Sequence, residues 1–177
     1  LVVGAETCSE ITKLMKRILS ACEQKQEKFI KTNKKDLLQL ANKMNMRLPS
    51  HEEVHYLANN KIAYRRCKDK GGILYPDQAV FLGSKMPCYD SLEDIEPEMN
   101  LPFVIIKDRG VFVSQESGKE VDIMLRCHSQ LLSRINIDCE LNYISKKEVG
   151  KLLNWEPEKY RLRLRELSLI HISEPTR

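Results

Sequence analysis

The chain has 177 residues, of which 42% are hydrophobic and 31% charged, a balance that excludes a disordered or collagen-like protein. Its formal net charge of +4 is modest, and the basic residues are interleaved with acids, so the composition gives no support to nucleic-acid binding. No apolar run approaches the roughly 20 residues of a membrane-spanning helix, and we expect no membrane association.

The first predicted helix runs from about Ser9 to Lys31, because apolar residues recur there at the spacing of one helix face. A second, short helix is predicted at Lys35–Met44. In front of the first helix, the apolar segment Leu1–Val3 is typical of a strand.

The stretch His51-Glu-Glu-Val-His55 matches the H-E-x-x-H pattern of zinc proteases, in which two histidines bind the metal and the glutamate is the general base. The alternative is a helix start, with Ser50 as N-cap and Glu53 completing a capping box. We favour the helix start, because His51 would then lie in the first turn and no third ligand follows at a suitable distance.

That helix is predicted to continue to a basic end near Lys70, where Gly71-Gly72 stops it. Arg65 and Arg66 could bind a phosphate there, although cations near a helix C-terminus are favourable without one. After the turn at Tyr75-Pro76, the apolar run Ala79–Leu82 is predicted to be a buried strand, followed by a loop over Met86–Asn100.

Two strands joined by the turn residues Asp108-Arg109-Gly110 are predicted at Val104–Ile106 and Val111–Val113. A helix over Glu120–Ile135 follows, and its buried face would include His128 as a core residue. Leu1-Val-Val-Gly4 and the first helix match Val111–Ser114 and this helix at a constant offset, which favours a duplicated half-domain over chance similarity.

The last predicted element is a helix at Val149–Asn154, introduced by a capping box at Ser145 and Glu148. Beyond it, Leu167–Arg177 resembles the translation of a sequencing-library adapter, so we expect a non-native tail and assign no role to His171. The start without methionine, inside an apolar segment, favours a chain cut from a longer protein.

The cysteines form no C-x-x-C pair and lie beside no secretory signal, so reduced thiols in a cytoplasmic protein are the simplest interpretation. They are Cys8, Cys22, Cys67, Cys88, Cys127 and Cys139.

Three strings resemble the C-terminal part of class II aldolase/adducin-type proteins, in particular the longer bacterial members. They are Leu74-Tyr-Pro-Asp-Gln-Ala-Val-Phe-Leu-Gly83, Gly110-Val-Phe-Val113 and Leu152-Leu-Asn-Trp-Glu-Pro-Glu-Lys-Tyr-Arg161. The opening Leu1–Glu10 resembles the strand and helix that follow the family's His-Gly pair.

The resemblance implies an α/β fold with α/β/α layers around a mixed sheet. It also implies that residues 1–48 end an aldolase-like domain, residues 49–166 form a second, degenerate aldolase-like region, and residues 167–177 are the tail. For a complete parent protein it implies retro-aldol cleavage of a sugar phosphate at a zinc ion held by three histidines, with a homo-oligomer as one possible assembly.

This sequence departs from the family pattern at the residues that carry the chemistry. It contains no His-x-His pair, and Arg109 occupies the position where the second copy would have its histidine. We therefore assign no catalytic, cofactor-binding or metal-binding residue and expect no cofactor in this chain. The alternative function is an interaction or scaffold domain, since the family has non-enzymatic members.

Overall fold

The computed structural model describes residues 4–22, 33–95 and 101–155, and within these ranges the chain is an α/β protein. The helices of the described ranges are α1 (Cys8–Cys22), α2 (Lys34–Lys43), α3 (Tyr56–Asn59), α4 (Lys61–Lys68), α5 (Pro76–Leu82), α6 (Lys119–Arg134) and α7 (Lys146–Leu153). The strands are β1 (Met46–Arg47), β2 (Cys88–Tyr89), β3 (Phe103–Ile106) and β4 (Gly110–Ser114).

The sheet is mixed, with the order β1-β4-β3-β2. Its centre is the predicted hairpin, in which β3 pairs antiparallel with β4 and Phe103 lies opposite Val113. Asp108 provides the turn by adopting a left-handed conformation with φ of 56°, which Asp tolerates better than most residues. β1 adds to β4 antiparallel and β2 adds to β3 parallel, so both outer strands come from distant segments.

Alternate residues of the hairpin enter two separate apolar clusters, because successive side chains of a strand point to opposite faces. One face presents Phe103, Ile105, Val111 and Val113 to the larger cluster, which α3, α4, α5, α6 and α7 complete. The other face presents Val104, Ile106 and Phe112 to Leu37 and Ala41 of α2. Helices therefore pack on both faces of the sheet.

The single helix predicted after Ser50 is wrong, because the segment divides into three pieces. A 3-10 turn at Glu52–His55 leads into α3, and the chain then extends at Asn60 before α4 begins. The Asn60 side chain accepts hydrogen bonds from Ile62 N (3.0 Å) and Ala63 N (2.9 Å), so this residue caps a new helix.

The strand predicted at Ala79–Leu82 is also wrong, since these residues form the second half of α5. Pro76 takes the first helical position, where its missing N–H costs nothing. Gln78 then holds the loop that leads into α5, because its Nε2 donates to Gly72 O at 2.8 Å and its Oε1 accepts from Leu74 N at 2.9 Å. A short apolar run alone does not distinguish a strand from a buried helix.

Three further predicted helices are confirmed with small corrections to their bounds. The helices expected at Lys35–Met44, Glu120–Ile135 and Val149–Asn154 appear as α2, α6 and α7. The first predicted helix is described from Cys8 to Cys22, and the rest of its predicted range lies outside the described residues. The capping box of α7 is complete, with Ser145 Oγ accepting from Glu148 N and the Glu148 side chain accepting from Ser145 N. The segment Met86–Asn100, predicted to be a loop, contains β2 in its described part.

Helix α1 has an amphipathic face, as predicted, but buries little of it. Ile11, Leu14 and Ile18 are half-buried, while the Met15 side chain is 41% exposed. In α6, by contrast, Val121, Leu125 and His128 are buried, together with Asp122. The segment Leu1–Val3 lies outside the described residues, so the equivalence of the two modules stays a prediction.

Candidate functional site

Arg66, one of the two arginines considered for phosphate binding, is buried and bound to the protein's own backbone. Its Nη2 donates to Asn136 O at 2.7 Å and to Cys139 O at 3.2 Å. Its Nη1 donates to Ile135 O at 3.3 Å. Arg66 thus satisfies the C-cap carbonyl of α6, Ile135 O, which has no partner within the helix, and carbonyls of the loop that follows. Arg65 is exposed.

The H-E-x-x-H residues are divided between different structural tasks. His51 is half-buried and takes the N-cap position of the 3-10 turn without a side-chain cap bond. Glu53 does not fold back as a capping box, because its Oε1 accepts from Arg126 Nε at 2.7 Å. The predicted Ser50 cap is also wrong, since His51 takes the N-cap position and Ser50 N donates to Asp122 Oδ1 at 2.7 Å, not to the Glu53 carboxylate.

His55 is a buried link between this turn and the sheet. Its Nδ1 accepts a hydrogen bond from Val111 N at 3.1 Å, which satisfies a buried backbone group of β4. Burial lowers the pKa of His55 to about 4, although the charge of Glu52 opposes the shift. The close approach requires Gly110, because a Cβ at that position would lie 2.9 Å from His55 Nδ1.

His128 lies in the core, as predicted, and its burial is complete. Its Nε2 is 3.6 Å from Cys67 Sγ, and the Tyr75 ring packs 6.1 Å away between centroids. Within the described part of the chain its Nδ1 has no hydrogen-bond partner. Burial lowers the pKa of His128 to about 4, so the ring is neutral near pH 7.

A bidentate ion pair joins β1 to α6. Arg47 Nη2 donates to Asp122 Oδ2 at 2.7 Å and Nη1 donates to Asp122 Oδ1 at 3.2 Å. Burial raises the pKa of Asp122, but the hydrogen bonds from Arg47 and Ser50 lower it by more, and the net pKa is below its usual value. This bidentate pair fixes the edge of the sheet to a helix.

A shallow depression lies between α5 and the start of α6. It is lined by Val80, Phe81, Glu116, Ser117, Gly118, Glu120 and Val121. Its ionisable residues are glutamates, which would repel a phosphate group. The depression therefore does not suit a sugar phosphate.

The residues present do not fit the family's zinc site. His55 uses Nδ1 for Val111, and His128 is enclosed against Cys67, so neither histidine faces an open metal position. Across residues 4–22, 33–95 and 101–155, no three side chains of His, Cys, Asp or Glu are arranged to hold a metal ion. Arg109 is exposed in the turn between β3 and β4.

The fold and these contacts define an α/β protein with helices on both faces of a small mixed sheet. No protein-family model matches the chain, and neither the curated proteins nor the solved structures contain a match. None of the helices in the described ranges is long and apolar enough to cross a membrane.

Sequence reasoning identified none of the contacts that organise this region. The sequence predicts Arg66 as a helix-terminal cation or a phosphate ligand and gives Arg47 and Asp122 no role, because the partners of all three lie about 70 residues away in the chain. The position of Asp122 beside Val121 and Leu125 on α6 was the one available signal, since it brings a carboxylate to the margin of a buried face.

Proposed function

We propose that this chain is a non-catalytic C-terminal part of a class II aldolase-like protein, with a packing role and no part in the chemistry. The observation that carries the proposal is where the three resembling strings lie. They contribute Ala79 and Leu82 of α5, Val111 and Val113 of β4, and the partly buried Leu152 of α7 to the same apolar cluster. Segments that resemble one family thus pack together as one unit.

The arrangement of the sheet supports the layered fold that the resemblance implies. Apolar residues of the hairpin are covered by α2 on one face and by α5 and α6, among others, on the opposite face. We extend the proposal to an α/β/α domain in a cytoplasmic protein, with the duplicated strand-helix module as its origin.

The complete parent protein would cleave a sugar phosphate by a retro-aldol reaction. Histidines outside this chain would hold a zinc ion, which would act as the Lewis acid. The roles of this chain's own histidines support that division of labour. His55 satisfies a backbone N–H of β4 and His128 packs against Cys67, so both residues serve the core.

The decisive experiment is to obtain the coding sequence upstream of Leu1 and to assay the extended protein for cleavage of phosphorylated sugars. We expect an upstream His-x-His pair and a His-Gly pair next to Leu1, with activity that a zinc chelator removes. The exposed Arg109 provides a matched control, since Arg109→Ala should leave kcat/KM unchanged while replacement of the upstream histidines abolishes activity. An extended protein that lacks these histidines would contradict the proposal that the parent protein is an aldolase.

The second candidate is an interaction or scaffold domain, and an exposed apolar stripe on α6 favours it. Ile123 is 56% exposed and Leu131 is 37% exposed, and the exposed Cys127 lies between them at helical spacing. If association through this stripe is the function, Ile123→Ser combined with Leu131→Ser should abolish it without affecting folding. Sedimentation of the chain at increasing concentration would measure the change.

A further inference from the structure

The segment that leads into β2 runs beside the end of α4 and the turn after it. Met86 N donates to Gly71 O at 2.9 Å, which fixes one end of this contact. The contact is close, because a Cβ on Gly72 would lie 2.8 Å from Met86 Cγ and 2.1 Å from Cys67 O. The backbone around Cys67 is therefore adjacent to the chain at Met86.

The other end of the same contact is held by Asp90, which directly follows β2. Its Oδ2 accepts from Lys68 Nζ at 2.5 Å, and its Oδ1 accepts from Tyr64 Oη at 3.2 Å. Both donors belong to α4. Cys88 therefore lies between Met86 and Asp90, and Cys67 lies between Tyr64 and Gly71, which are partners of these two residues.

In the middle of this contact, Cys88 packs against the apolar cluster that contains Cys67. The nearby thiol of Cys88 also raises the pKa of the Cys67 thiol, as expected if the two side chains face each other. Cys67 is fully buried, whereas Cys88 is half-buried and lies on the outer strand of the sheet. Both residues are reduced in the structure. A disulfide requires Cα atoms about 4.4–6.8 Å apart, and the contacts at Met86 and Asp90 hold the two segments side by side at this point.

We propose that Cys67 and Cys88 form an oxidant-sensitive dithiol site, which a peroxide such as hydrogen peroxide converts into a disulfide between α4 and β2. The peroxide oxidises the sulfur of Cys88, the more accessible thiol, to a sulfenic acid and is itself reduced to water. The sulfur of Cys67 then attacks that sulfur, the S–O bond breaks, and hydroxide leaves with the Cys67 proton as a second water.

The surroundings of Cys67 determine its state before the second step. The neighbouring thiol of Cys88 and burial raise the pKa of the Cys67 thiol, so this sulfur starts as the neutral thiol. Its proton therefore has to leave with the departing hydroxide as the disulfide forms. His128 Nε2 lies 3.6 Å from Cys67 Sγ, but its lowered pKa makes this imidazole a packing partner of the thiol and not the base of the reaction.

The bond would change how the edge of the sheet is attached. In the reduced protein, β2 is held to α4 by Asp90 and by apolar packing, contacts that water and salt can compete with. In the oxidised protein, a covalent bond would join the same two elements. Oxidation would therefore lock the outer strand in place, and thiols would release it.

The test uses a variant in which Cys8, Cys22, Cys127 and Cys139 are changed to serine, so that only Cys67 and Cys88 remain. After treatment with one equivalent of hydrogen peroxide, we expect a monomer that has lost both titratable thiols and two hydrogen atoms of mass, and that dithiothreitol restores. The matched control carries Cys88→Ser in addition and should keep its buried thiol.

The unsubstituted chain provides a second measurement that does not depend on how this variant folds. After oxidation, alkylation and digestion, mass spectrometry should find a peptide that links Cys67 to Cys88 and disappears on reduction. The proposal is overturned if Cys67 and Cys88 remain alkylatable while the exposed Cys8, Cys127 and Cys139 are oxidised. It is equally overturned if thiol loss is accompanied only by added oxygen or by links between chains.

Discussion

Arg47 and Asp122 are joined through both oxygens of the carboxylate, at 2.7 and 3.2 Å, across a boundary between strand β1 and helix α6. The Asp122 side chain is only 4% exposed, whereas that of Arg47 is 27% exposed. Ser50 N donates to the same carboxylate. Three donors therefore converge on one nearly buried acid.

Removing that acid should destabilise the protein substantially. Asp122→Ala leaves the Arg47 guanidinium and the Ser50 N–H without their acceptor, and we expect a loss of roughly 3 kcal/mol in the free energy of unfolding. The exposed Asp138→Ala is the control and should stay within about 0.5 kcal/mol of the parent chain. Urea unfolding followed by circular dichroism measures both, and equal effects would contradict the structural role of Asp122.

The two buried histidines predict acid sensitivity. In the folded protein the pKa values of His55 and His128 are lowered to about 4 from the usual 6.5, so the unfolded chain binds more protons between these values. The contribution of the two histidines to the free energy of unfolding is therefore fully present above about pH 6.5. It is lost as the pH drops towards 4, by ~3 kcal/mol for each histidine.

The measurement for this prediction is the urea midpoint at a series of pH values. His55→Asn keeps an acceptor for Val111 N but cannot titrate, so it should flatten the pH dependence. If His55→Asn leaves the pH dependence of the urea midpoint unchanged, His55 is not the source of the acid sensitivity.

Two glycines should respond in opposite directions to the same substitution. In Gly110→Ala the new methyl would lie 2.8 Å from Leu37 Cδ2 and 2.9 Å from His55 Nδ1, and we expect a loss of about 1–3 kcal/mol. In Gly150→Ala, inside α7, nothing lies within 4 Å of the added carbon, and we expect a gain of roughly 0.5–1 kcal/mol. Thermal unfolding of the two variants compares them directly. A destabilised Gly150→Ala, or a neutral Gly110→Ala, would show that the packing differs.

Gln78 should be the most sensitive residue of α5. Gln78→Leu removes the partners of the buried Gly72 C=O and the half-buried Leu74 N–H, at a cost of about 2–4 kcal/mol. Gln78→Glu keeps the acceptor for Leu74 but places a carboxylate against a carbonyl, so it should not rescue stability. The exposed Gln39→Leu on α2 serves as the reference. If Gln78→Leu unfolds at the same urea concentration as Gln39→Leu, the loop before α5 has another support.

The sequence predicted the parts of the fold that depend on neighbouring residues. The hairpin Val104–Val113 follows from a β-branched run on each side of turn residues, and α6 follows from apolar residues at helical spacing. The capping box at Ser145 was predicted for the same reason, since both of its residues lie within one turn.

Two kinds of failure occur: a distant residue decides the outcome, or a short apolar run does not distinguish a strand from a helix. Glu53 has the right spacing for a capping box, but Arg126 attracts its carboxylate across 73 positions of sequence. Ala79–Leu82 has the composition of a strand, yet the buried Gln78 and Pro76 commit the segment to a helix. No local pattern places Arg66 against the carbonyls that follow α6, or Cys88 against Cys67, because these contacts exist only after the chain has folded.

The unequal lengths of the strands have a consequence for how copies of this chain meet. The central strands β3 and β4 carry four and five residues, but β1 and β2, which form the two margins of the sheet, carry only two each. An incoming strand needs a row of unpaired N–H and C=O groups as a template, and margins this short offer very few of them. The short edge strands β1 and β2 thus give another chain little to pair with beside the apolar hairpin Phe103–Ser114, which should oppose growth into fibrils.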